Sequence, residues 1–96
     1  MKPSLALEQK RQMIRDMVNR YPTRNPRVFG SVLHGTDTEE SDLYILVDAL
    51  PGTSLFDLSG LQHDLEDLLG VKVDVRTPQE LSPILRPQVL SEAAPL

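Results

Sequence analysis

At 96 residues, with 40% hydrophobic, 25% charged and only 4% aromatic side chains, the chain has the composition of an ordinary globular protein and the length of one domain, residues 1–96. A net charge of −4 and a pI near 5.0 disfavour direct binding of nucleic acid, which needs a basic face to release counterions. The absence of cysteine rules out disulfides, thiolate zinc sites and thiol nucleophiles, and suits a reducing cytosol.

The first residues run straight into a charged helical pattern without the apolar core of a secretion signal, so a soluble cytoplasmic protein is expected. No apolar run approaches the ~20 residues that a membrane span needs. A domain this small buries a modest share of its surface, and a protein partner that covers apolar area is expected.

In chain order, Ser4 is placed to cap a first helix whose Leu7, Ile14, Met17, Val18 and Tyr21 share a face and which should end before Pro22. Residues 21–26 read as turn chemistry, and Arg27-Val28-Phe29 as a short strand leaving through Gly30-Ser31. One helical turn fits between Ser31 and Gly35, followed by a polar loop over 36–41. The pattern then alternates: a strand sends Leu43, Ile45 and Val47 to a core face, and Asp42, Tyr44 and Leu46 to the other.

A second helix begins near Ser54, carries Leu58, Leu61, Leu65, Leu68 and Leu69, is weakened slightly by Gly60, and stops at Gly70. Val71 to Arg76 alternates again, valines on one face and Lys72, Asp74 and Arg76 on the other. Thr77-Pro78-Gln79-Glu80 combines a capping box with proline at the first helical position. Pro83 and Pro87 break the helix up, a last short helix can pass through Val89, Leu90 and Ala93, and the terminus should fray. The expected fold class is α/β, a small twisted mixed sheet with helices packed on one face. The opposite face should stay open, presenting Asp42, Tyr44, Lys72, Asp74 and Arg76 beside the Gly30-Ser31 corner.

Each feature alone has an ordinary explanation. Gly-Ser can be a strand-to-helix turn with a serine cap, a charged alternate face can be a solvated sheet surface, and His34 and His63 can be surface histidines. Together the features are more specific: Gly30-Ser31, then Gly35, then Ser41-Asp42-Leu43-Tyr44-Ile45-Leu46-Val47, and Asp74 on a later strand. This set resembles the minimal nucleotidyltransferases of the DNA polymerase β superfamily, over nearly the whole chain.

The resemblance implies a polymerase-β-like fold in which Gly30 and Ser31 hold nucleotide phosphate, with His34 and Arg76 as further nucleotide-binding candidates. It implies ATP as donor and Mg2+ as cofactor, with Asp42 and Asp74 as catalytic and metal-binding carboxylates. Standalone proteins of this family pair with HEPN-family ribonuclease toxins, which implies an antitoxin that transfers AMP from ATP to a toxin tyrosine. The alternative is a catalytically impaired module that blocks its toxin by contact. Two positions depart from the pattern. Histidine stands at 34 where the family has arginine, and Tyr44 stands where the second metal-binding aspartate belongs. A neutral phenol is a poor ligand for a hard cation, and Asp48, some 13 Å further along the strand, is a doubtful substitute.

Overall fold

The computed structural model describes residues 1–96. Helix α1 spans Pro3–Asn19, strand β1 Thr23–Phe29, helix α2 Ser31–His34, strand β2 Leu43–Ala49, helix α3 Leu55–Leu69 and strand β3 Val73–Arg76. A 3-10 turn over Pro78–Glu80, helix α4 over Arg86–Glu92 and a two-residue strand β4, Ala94–Pro95, complete the chain. The sheet order is β3-β2-β1-β4, with β2 antiparallel to β1, parallel to β3, and β4 antiparallel to β1.

Helices and sheet meet through the residues that the periodicities select. Ile14 and Val18 of α1, Leu61 and Leu65 of α3, and Leu43, Ile45 and Val47 of β2 are fully buried in one cluster with Val28, Val73 and Val75. Helix α3 opens on a Ser54/Asp57 capping box and ends at Gly70 in the left-handed conformation, φ 69°. Gly60 has a packing reason: a Cβ there would lie 3.1 Å from the Tyr21 ring, whose hydroxyl donates to Asp64. The ammonium of Lys10 donates to the Leu68 carbonyl at 2.7 Å, placing a cation at the negative end of α3.

Strand β3 is an edge, and α3 seals it from the side. Glu66 accepts from the Val73 N–H at 3.2 Å and Gln62 from the Val75 N–H at 3.0 Å, groups that no further strand satisfies.

Four expectations are corrected. Ser4 is not the cap of α1: Pro3, which lacks an N–H to satisfy, takes the first helical position behind an extended Lys2. The Ser4 N–H lies inside the first turn and donates to Asp37 Oδ2 at 2.9 Å. The segment read as a turn is largely strand, since β1 starts at Thr23 and absorbs the turn chemistry as a bulge at Asn25, φ 57°, between Arg24 and Arg27.

The second face of the sheet is not fully open. Leu46 is 0% exposed although it lies outside the main core cluster, because the 3-10 turn runs against β2 and Leu81 is buried with it. The terminus is not frayed. β4 pairs with β1 at Arg27 and Val28, the Leu96 N–H donates to Pro26 O at 3.0 Å, and Arg15 Nε donates to Leu96 O at 2.6 Å.

Candidate functional site

Strand β1 delivers the chain to Gly30, which adopts φ 81°, ψ −153°, a region open essentially to glycine alone. α2 follows as a single turn, closed by the His34 N–H on Gly30 O and by Gly35 at φ 71°. Across the sheet, Phe29 of β1, Tyr44 of β2 and Asp74 of β3 form one register row. Directly opposed residues in a ladder share a face, so the three side chains stand side by side.

The Tyr44 ring leans over the corner. Its centroid lies 5.4 Å from that of Phe29 at an interplanar angle of 40°, and a Cβ placed on Gly30 would stand 3.0 Å from Tyr44 Cδ2. The open space that glycine creates beside its backbone is therefore filled by an aromatic ring.

The two motif carboxylates face different surroundings. Asp42, just ahead of β2 and half-buried, lines a depression of about 320 Å³ with Ser41, Glu39, Glu40 and Lys72. Asp74 borders a separate depression of about 350 Å³ with Arg76, Leu55, Leu58, Gln62 and Glu80. Neither is lined by Gly30, Ser31 or Tyr44. Both Asp74 oxygens are engaged by Arg76, whose Nε donates to Oδ1 at 2.7 Å and Nη2 to Oδ2 at 3.1 Å. The hydrogen bond and charge of Asp74 raise the Arg76 pKa above its ordinary value.

The remaining candidates are also engaged. Asp48 accepts from Arg27 Nη2 at 2.6 Å and Asn25 Nδ2 at 3.1 Å. Burial pushes the Asp48 carboxyl up, but these hydrogen bonds and the charges of Arg27 and Arg24 more than offset it, so its pKa is lowered. His34 Nε2 lies 3.2 Å from Glu92 Oε2, joining α2 to α4, and His63 stands 3.4 Å from Asp67 on the exposed side of α3.

This donor set does not fit a pair of magnesium ions. No group of three His, Asp or Glu side chains converges, Asp74 already spends both oxygens on a guanidinium, and position 44 offers only a phenol to a hard cation.

Two contributors escaped the sequence reading. Phe29 precedes the Gly-Ser corner and supplies the second aromatic ring; its signal was the strand register, which places it opposite Tyr44. Asp37 is buried and ties the 36–41 loop to the start of α1. The Ser4 N–H that it accepts is the main reason its pKa is lowered, partly opposed by burial. Nothing local in the sequence announces this bond, which spans 33 positions.

With corner, row and carboxylates in place, the comparisons with known proteins agree on the class. Residues 10–95 match the nucleotidyltransferase domain family, and the chain belongs to it. It is 37% identical over 86 residues to a Methanocaldococcus jannaschii protein named as a candidate protein adenylyltransferase, covering 90% of this chain and 91% of that one. It is 36% identical over 78 residues to protein adenylyltransferase MntA of Thermococcus cleftensis, covering 81% and 79%.

A solved structure described as a candidate minimal nucleotidyltransferase superposes with a TM-score of 0.86 at 42% identity, over 97% of this chain and 95% of that one. The chain is thus a minimal nucleotidyltransferase domain. A toxin–antitoxin complex, MntA-HepT, contains a chain that superposes with a TM-score of 0.63 at 22% identity, over 95% of this chain and 68% of that one, a likeness of fold. No helix is long and apolar enough to cross a membrane.

Proposed function

We propose that this chain is the antitoxin of a toxin–antitoxin pair, one domain that holds a HEPN-family ribonuclease toxin inactive in the cytosol by contact. The observation that carries the contact reading is the Tyr44 ring seated on Gly30, with a would-be Cβ contact of 3.0 Å. A nucleotide phosphate that relied on the Gly30 backbone would have to displace that ring. The antitoxin role is supported by the names of relatives at 36–37% identity and by the MntA-HepT complex of like fold. Exposed apolar residues, Phe56 at 90% and Ile84 at 88%, supply surface for a protein partner.

A second reading, transfer of AMP from ATP to a toxin tyrosine with Gly30, Ser31, His34 and Arg76 on the nucleotide and Asp42 and Asp74 on Mg2+, is favoured by the adenylyltransferase naming of the same relatives. The test is a ribonuclease assay of the HEPN partner with this chain added in the absence of nucleotide, alongside size-exclusion chromatography of the mixture. Co-elution with loss of RNA cleavage supports the contact reading. Separate elution with undiminished cleavage refutes it, and inhibition that appears only with ATP moves the assignment to the second reading.

A further inference from the structure

We propose that Arg76 is the resident cation of this site, holding Asp74 where a divalent ion would otherwise be needed, so that the chain folds with its site complete and takes up no metal there.

Asp74 is fixed on β3 with its side chain 27% exposed, and a carboxylate withdrawn from water to this degree needs a counter-charge. A guanidinium supplies it in fork geometry at 2.7 and 3.1 Å, using both oxygens. Such paired, charge-assisted bonds are among the stronger ones available to a side chain, and arginine carries its charge at every accessible pH. The reach is built in, since residues 74 and 76 lie two apart on one strand and share a face.

The surroundings complete the exchange of metal for arginine. Tyr44, opposite Asp74 in the row, adds no negative charge that a metal would have to neutralise. Asp42 lies in a different depression, with Lys72, Glu39 and Glu40, and makes no ion pair with Arg76, which is committed to Asp74. A divalent ion at Asp74 would break both bonds of the fork and leave the guanidinium without its partner. The two acids also open onto separate depressions.

Toxin binding plays no part in this exchange, and the test uses the isolated chain. Mn2+ uptake is followed by electron paramagnetic resonance and the Tm by circular dichroism, with and without Mg2+. The native chain should show no saturable Mn2+ uptake and no Tm rise with Mg2+. Arg76→Gln should melt several degrees lower in chelator and recover part of the loss with Mg2+, while gaining Mn2+ uptake that Asp74→Asn in the same background abolishes. If Arg76→Gln does not fold, Arg76→Met, which keeps an unbranched stem and removes the charge, is titrated with Mn2+ in its place; saturable uptake above the native level supports the proposal and none overturns it. Saturable uptake by the native chain, or an Arg76→Gln chain with native Tm and no metal response, also overturns it.

Discussion

Substituting Gly30 by alanine tests the geometry of the corner. The backbone there sits at φ 81°, ψ −153°, where a residue with a Cβ carries a strain of about 1–3 kcal/mol. The new methyl would also stand 3.0 Å from Tyr44 Cδ2, closer than carbon atoms pack, so the ring must move or the strand must yield. For a domain of this size each kcal/mol lowers Tm by about 4–8 °C, so the backbone strain alone predicts a fall of roughly 5–20 °C. Far-UV circular dichroism during heating, with urea titration for the free energy, measures it. In a Tyr44→Ala background the contact is gone and the strain remains, so the cost of Gly30→Ala should shrink yet stay near or above about 1 kcal/mol. A cost below about 0.5 kcal/mol in the native background would refute the strained corner. Equal costs in both backgrounds would refute the claim that Tyr44 lies on it.

Leu46→Ala should cost about 2–5 kcal/mol in urea titration, the range for a fully buried leucine, whereas a loss under about 1 kcal/mol would mean that the second sheet face is open after all. Arg15→Ala removes the donor that holds Leu96 O at 2.6 Å, and should cost about 1 kcal/mol and speed hydrogen exchange of the Leu96 amide; unchanged exchange would show that the β1–β4 ladder suffices. Asp48 has a folded pKa below its ordinary value of 3.8, so its contribution is present above that pH and is lost as pH falls from about 4 through the folded value. Asp48→Asn should therefore flatten the stability profile in that acid window and leave the shape of the profile at neutral pH unchanged; a profile as steep as the native one would remove Asp48 from the account.

What the sequence made legible was whatever local chemistry decides. The Ser54/Asp57 and Thr77/Glu80 capping boxes, Gly70 as a stop and the alternating Leu43-Ile45-Val47 and Val73-Val75 faces all lie where their spacing puts them. The placement of Tyr44 beside Asp74 also follows from strand period and motif. The rest depends on segments distant in sequence. β4 is two residues long and shows no period, the burial of Leu46 is decided by a 3-10 turn more than thirty residues later, and the Ser4 amide is satisfied by Asp37 across 33 positions. Nor could the pattern tell that Arg76 would turn onto Asp74, because an alternating strand face fixes which side chains are neighbours and not which of them bond.

The most direct test of a corner closed by Tyr44 is the incorporation of label from ATP into the proposed HEPN-family partner, with magnesium present and ribonuclease activity of that protein read in the same samples. The native chain should silence the ribonuclease while transferring no label above that seen with partner alone. Tyr44→Asp, which uncovers Gly30 and restores the second carboxylate, should raise transfer by orders of magnitude. Stoichiometric labelling of the partner by the native chain, at a rate within a few-fold of Tyr44→Asp, would contradict the account.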